Sequence, residues 1–155
     1  MTLPQERLPM KEGLTEVPGV LVVDDEAAVL CVLAAKLRNE GMKVWLAGHG
    51  HQALELFQRH REEIAVVLLD VQMPGMDGPR TWAALQQVCP TVRCCFMTGN
   101  PLPYTEEELL QRGAVRVFRK PFAFTEVMAT LHQLANRSPW RSMEPARKEC
   151  EPCWC

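Results

Sequence analysis

Five polar residues interrupt an otherwise apolar rhythm in this chain. Asp24 and Asp25 follow Val20–Val23, Asp70 follows Ile64–Leu69, Thr98 follows Val92–Met97, and Lys120 stands just past Ala114–Phe118. Brought to one place, three carboxylates repel, and one must take up a proton unless a cation neutralises them. Magnesium suits such a set, because it prefers oxygen ligands in octahedral geometry and is held by one or two carboxylates plus phosphate oxygens and water. In this reading Asp25 and Asp70 ligate Mg2+ directly, Asp24 does so through water, and the backbone carbonyl of Gln72 completes the shell. Asp70 is then a nucleophile for phosphorus, while Lys120 and the Thr98 hydroxyl meet the phosphoryl oxygens, in a reaction whose catalysis is mostly positioning and charge stabilisation. Three aspartates, a divalent cation and Lys120 balance in charge. A phosphoryl dianion on Asp70 leaves a small negative excess, tolerable only with metal and lysine in place.

These residues converge only if the elements carrying them share an edge. Val20–Val23 is a short β-branched run, and the residues after it place Leu30, Leu33, Ala34 and Leu37 on one helical face before Gly41 supplies a stop. The alternation continues with strands at Lys43–Ala47, Ile64–Leu69, Val92–Met97 and Ala114–Phe118. Helices are expected at Gln52–His60, Pro79–Val88 and Thr105–Gln111, with a last one striped by Val127, Met128, Leu131, Leu134 and Ala135. Strands apolar at consecutive positions, Ile64–Leu69 above all, belong in parallel sheets covered on both faces. Right-handed crossovers then give an α/β doubly wound five-stranded parallel sheet with helices on both faces, whose site lies at the carboxyl ends of the strands.

The chain has 155 residues, 47% hydrophobic and 23% charged, enough apolar material for one domain with modest tails. Residues 1–17 and 138–155 read as tails, the second containing proline and cysteine, and 18–137 as the folded domain. With 17 Lys+Arg against 19 Asp+Glu the net charge is −2, so no global basic field points to direct nucleic-acid binding or an anionic membrane. No apolar run approaches the roughly 18–20 residues needed to span a bilayer, and the amino-terminal segment has no signal-type stretch, which implies a cytoplasmic protein. Of seven cysteines, Cys31, Cys89, Cys94 and Cys95 fall in apolar segments and are expected to behave as small hydrophobes. Cys150, Cys153 and Cys155 are one thiolate short of a closed zinc site and read as a thiol-bearing tail.

Four stretches, in order and at matching spacing, resemble the bacterial response-regulator receiver domain of two-component systems, in its chemotaxis-regulator-like, flavodoxin-like form: VLVVDDE at 20–26, VVLLDVQMPGMDG at 66–78, CFMTGN at 95–100 and FRKPF at 118–122. The resemblance implies a phosphoprotein that accepts a phosphoryl group on Asp70 from a sensor histidine kinase or histidine phosphotransfer protein in a Mg2+-dependent reaction. It implies a signal passed by altered protein–protein binding, and no enzyme beyond self-phosphorylation and slow dephosphorylation. About twenty residues follow the last helix, too few for an output domain, so the expectation is a single-domain regulator with a separate downstream target protein. Family members often pair through the fourth helix, fifth strand and fifth helix, so the resemblance also allows a phosphorylation-dependent homodimer. The family also often has a cis peptide before the proline that follows the lysine, here Pro121.

One position departs from the family. Three residues before Lys120, where an aromatic is usual, stands Val117; the neighbouring Phe118 points to the opposite face and cannot replace it. Output is therefore expected through backbone shifts between Thr98 and Gly113, and Val117→Tyr is expected to alter partner binding more than phosphorylation. The same departure supports an alternative, a degenerate receiver that works as a phosphorylation-independent scaffold. A Mg2+-dependent phosphatase of the haloacid-dehalogenase type, a further alternative, needs a second aspartate two residues after the nucleophile, and that place holds Gln72. His49 and His51 read as surface or capping residues near a helix start, His132 as an exposed histidine, and Trp82 as core. Trp140 and Trp154 read as loose tail aromatics, and Glu106–Glu108 as a solvated acidic helix start.

Overall fold

In the computed structural model, residues 17, 19–100 and 103–136 are described. The calls on Cys150, Cys153, Cys155, Trp140 and Trp154 lie outside them. Five strands alternate with five helices: β1 (Gly19–Val23), α1 (Ala27–Asn39), β2 (Lys43–Ala47), α2 (Gly50–His60), β3 (Ile64–Asp70), α3 (Gly78–Val88), β4 (Arg93–Thr98), α4 (Glu106–Gln111), β5 (Arg116–Arg119) and α5 (Phe124–Asn136). Every pairing is parallel and the strand order is β2-β1-β3-β4-β5. The order reverses at β1, so the doubly wound expectation holds and the carboxyl ends of β1 and β3 sit side by side, Val23 opposite Leu69.

Because side chains alternate along a strand, each central strand feeds two cores. Leu21, Val23, Val67, Leu69, Cys94, Phe96 and Val117 face a cluster closed by Ala53 and Phe57 of α2, Trp82 and Leu85 of α3 and Leu109 of α4. Val20, Val22, Val66, Leu68, Cys95, Met97 and Phe118 face the other, closed by Leu33 and Leu37 of α1 and by Val127 and Leu131 of α5. Every residue of β1 and β3 is buried, which is why these runs show no polar alternation in the sequence. Each of the large side chains fully removed from water contributes about 1.5–3 kcal/mol.

The helix ends follow local chemistry. α1 stops where Gly41 adopts φ +82°, a conformation costly for residues with a Cβ, and the Gly41 and Met42 amides donate back to the Arg38 and Leu37 carbonyls. α3 starts on Asp77, whose Oδ1 accepts from the Arg80 amide at 2.9 Å, with Pro79 in the first turn where its missing N–H costs nothing. α4 starts on a capping box between Thr105 and Glu108.

Several expectations need correction. β4 runs Arg93–Thr98, so Thr98 closes the strand instead of following it, and Asp70 likewise ends β3. β5 begins at Arg116, not at Ala114, because the Ala114 amide closes the end of α4 on the Leu109 carbonyl. α2 begins at Gly50, since His49 caps it by accepting the Gln52 amide on Nδ1 at 3.2 Å. Cys31 is exposed, because α1 turns only its Leu33, Ala34 and Leu37 face fully inward. His132 is half-buried, not exposed. Trp82 is core as expected and also donates its indole Nε1–H to the Arg112 carbonyl at 2.9 Å. No helix among the described residues is long and apolar enough to cross a membrane.

Candidate functional site

The ends of β1, β3, β4 and β5 bring Asp24, Asp25, Asp70, Thr98 and Lys120 to one edge of the sheet. Asp24 and Asp70 are buried and Asp25 is exposed, yet one carboxylate oxygen from each lies within 4.8 Å of the others. A set of close oxygen donors, half in water and half out of it, suits a hard divalent cation such as Mg2+. Asp70 stands in register with Met97 of β4, one residue short of Thr98. The loop after it is tightly packed: the Gly78 amide donates to the Val71 carbonyl at 2.9 Å, and a Cβ at Gly78 would collide with the Asp70 carbonyl oxygen. Glycine there lets the 71–78 loop fold back onto the strand end and fix the Asp70 backbone.

Charge explains how the pocket is held together. Lys120 Nζ donates to Asp24 Oδ2 at 2.7 Å and lies 3.6 Å from Asp70 Oδ1. The other Asp24 oxygen accepts the Glu26 amide at 2.9 Å. Asp24, fully buried, is thus paired by a cation 96 residues away in sequence. Burial, followed by the Asp24 charge, pushes the Asp70 carboxyl up from its ordinary 3.8 to about 7, against the opposing pull of Lys120 and of a backbone hydrogen bond from Gln72. Burial works against the Lys120 ammonium, but the hydrogen bond to Asp24 and the charges of Asp70, Asp24 and Glu26 outweigh it and hold the amine above its usual range. Without a divalent cation, Asp70 at neutral pH is therefore shared between its protonated and ionised forms.

Two side chains are oriented differently from the arrangement expected around a phosphoryl group. Thr98 Oγ1 donates to the Asn100 carbonyl at 2.6 Å, turned into its own loop. Lys120 is drawn to Asp24 more closely than to Asp70. The Lys120–Pro121 peptide is cis, as the resemblance implied. Val117 faces the α3 and α4 cluster and Phe118 the α1 and α5 cluster, so the two do occupy opposite faces.

Sequence reasoning missed one contact. Tyr104 Oη donates to Asp77 Oδ2 at 2.8 Å, joining the loop after β4 to the loop after β3. The run Asp77-Gly78-Pro79 is a helix-start signal that could have placed Asp77, but nothing in the spacing of Tyr104 points at it.

An open doubly wound sheet with an acidic pocket and a lysine at its carboxyl edge matches a known module. The response regulator receiver domain model matches residues 20–132, and the chain belongs to that family, the receivers of two-component systems. It is 37% identical over 114 residues to the transcriptional regulatory protein ZraR of Escherichia coli, covering 74% of this chain and 25% of that protein. It is 31% identical over 112 residues to sporulation initiation phosphotransferase F of Bacillus subtilis, covering 70% of this chain and 86% of that one. Among solved structures, the Thermotoga maritima response regulator TrrA in complex with Mg2+-BeF superposes with a TM-score of 0.67 at 25% identity, over 76% of this chain and 99% of that one. The chain thus spans about a quarter of the length of the first of these relatives.

Proposed function

We propose that this protein is a response regulator whose Asp70 accepts a phosphoryl group from a phosphohistidine on a sensor kinase or phosphotransfer protein, and that it signals by changed protein binding. The observation that supports this most is the placement of a buried Asp70 carboxylate beside two further aspartates and within 3.6 Å of the Lys120 ammonium. Asp25, Asp70 and the Gln72 carbonyl are the groups that would hold Mg2+ directly, with Asp24 behind them. When bound, the ion supplies positive charge that lets Asp70 stay ionised and offsets the phosphoryl oxygens.

The chain's own residues do the rest. An Asp70 Oδ attacks phosphorus, the new O–P bond forms as the donor's N–P bond breaks, and the electron pair leaves with the imidazole. Lys120 turns from Asp24 to the phosphoryl oxygens, and the Thr98 hydroxyl exchanges the Asn100 carbonyl for a phosphoryl oxygen. Both movements start from hydrogen bonds the side chains already make, so each is an exchange of partners and not the creation of a new site.

The Mg2+-BeF complex of TrrA and the phosphotransferase named in Bacillus subtilis favour this reading over a phosphorylation-independent scaffold. Action in the cytoplasm, a target protein bound in response to phosphorylation and a homodimer belong to the same proposal. The test is incubation with acetyl phosphate and Mg2+ followed by intact mass, for the native chain and Asp70→Asn. The native chain is expected to gain one phosphoryl group and the variant none. Equal addition in both would refute Asp70 as acceptor.

A further inference from the structure

The start of α2 carries a glycine where helix propensity alone would favour another residue. His49 caps the helix, so Gly50 is its first residue, a buried position at which alanine is the better helix former. A Cβ there would lie 2.5 Å from Thr81 Oγ1, 2.8 Å from Met76 Sδ and 3.0 Å from Met76 Cγ, closer than packed atoms approach. What glycine provides at this point is room, and both side chains that take it up belong to the region that follows Asp70.

Those side chains flank the turn that holds the acceptor. Thr81, fully buried in the first turn of α3, donates its hydroxyl to the Asp77 carbonyl at 2.8 Å, and its amide donates to the same oxygen at 3.0 Å. Gly78, next along the chain, donates its amide to the Val71 carbonyl and packs so closely on the Asp70 carbonyl oxygen that no Cβ would fit. The path from Gly50 to the Asp70 backbone therefore runs through Thr81, Asp77 and Gly78 without a gap. The tip of the same loop is different. Gly75 has φ +77° and a Cβ on it would meet nothing within 4 Å. Pro74, Gly75 and Met76 stand across an open cleft of about 450 Å3 from His49 and His51. The loop is held at its base, against α2, and not at its tip.

We propose that Gly50 is a positioning residue for phosphoryl transfer: the bare first turn of α2 is the seat on which Thr81 and Met76 rest, and through them it sets where the Asp77–Gly78 turn holds Asp70. This rests on the reading of Asp70 as acceptor. Gly48, two residues earlier, makes the contrast, since a Cβ there would meet only Gln52 Oε1, at an ordinary 3.7 Å.

The test measures two things in the full chain: residue-resolved amide hydrogen exchange without metal, and the rate of phosphoryl uptake from acetyl phosphate with Mg2+. In Gly50→Ala the Val71 and Gly78 amides, which donate to the Met97 and Val71 carbonyls, are expected to exchange about tenfold faster while the amides of β1 keep their native rates. Uptake is expected to slow about tenfold, because a displaced acceptor loses its alignment. Gly48→Ala is expected to match the native chain in both. Once Thr81→Ala and Met76→Ala have removed the colliding atoms, adding Gly50→Ala is expected to change uptake by less than about twofold, the coupling that neighbours in contact show. Native rates in Gly50→Ala, exchange that rises equally in β1, or the same loss on both backgrounds overturns the proposal. Thr81→Val keeps the shape of the side chain and removes only its bond to the Asp77 carbonyl, so it tests the same path even if Gly50→Ala does not fold. It is expected to speed Gly78 exchange and slow uptake, and native behaviour in both would overturn the proposal as well. Failure of the acceptor reading is visible separately, as absence of phosphoryl uptake by the native chain in intact mass. In that event the exchange rates still decide whether α2 seats the loop.

Discussion

Asp70→Asn should stabilise the metal-free protein, and by an amount that depends on pH. In the unfolded chain this carboxyl ionises near 3.8, whereas burial and the Asp24 charge raise it to about 7 in the folded state. Below pH 4 both states hold the proton and the group is neutral to stability. Between pH 4 and 7 the folded state binds the proton that the unfolded state has lost, so stability falls as pH rises. Above 7 both are ionised and the penalty is constant, at about 4 kcal/mol as an upper bound from that displacement. Asparagine removes the penalty but also the attraction to Lys120 at 3.6 Å, so the net gain at pH 8 should be about 1–3 kcal/mol, or roughly 3–10 °C in Tm. The gain should shrink towards zero at pH 4.5. Saturating Mg2+ should abolish it by stabilising the native chain alone, worth about 2.7 kcal/mol at a hundredfold excess over Kd. Thermal melts at pH 4.5, 6 and 8, with and without Mg2+, measure all of this. A difference in Tm that is the same at every pH would refute the account of the pocket's charge.

Three further outcomes follow from named contacts. Lys120→Met leaves the buried Asp24 carboxylate without its cation, which should cost about 3–5 kcal/mol in urea unfolding, with part recovered on adding Mg2+ and phosphoryl uptake lost. Trp82→Phe keeps most of the packing but leaves the Arg112 carbonyl only the longer 3.5 Å hydrogen bond from Gln86 Nε2, and should cost about 0.5–1.5 kcal/mol by the same measurement. Val117→Tyr forces a ring into the cluster of Trp82, Phe96 and Leu109, so a loss of about 1–3 kcal/mol is expected, with phosphoryl uptake retained and affinity for a partner changed; unchanged stability would mean the cluster has room that its burial denies.

The strand runs and their order were legible because burial on both faces writes itself as consecutive apolar residues, as in β3. The five site residues were legible for a related reason: a charged or polar residue at the end of such a run has nowhere to go but the sheet's edge. Boundaries were less so. Thr98 is apolar enough in its methyl to close β4, and Ala114 is claimed by the end of α4 through a hydrogen bond that no local pattern reveals. Cys31 looked like core because its neighbours are apolar, but a helix buries only one stripe, and this residue is off it. The partners of the site residues were the least legible. That Lys120 seeks Asp24 and that Thr98 turns to Asn100 are rotamer choices set by charge and burial in three dimensions. Tyr104 and Asp77 are 27 residues apart and meet only because β3 and β4 are neighbours in the sheet.

The central claim is that one side-chain oxygen, on Asp70, carries the phosphoryl group. Borohydride reduces an acyl phosphate to the alcohol, so an aspartyl phosphate is converted to homoserine at its own position. After incubation with acetyl phosphate and Mg2+, reduction and peptide mass spectrometry should find homoserine at position 70 alone, and none when Mg2+ is chelated beforehand. Homoserine at another aspartate, or at none while phosphoryl groups are still taken up, would contradict the claim.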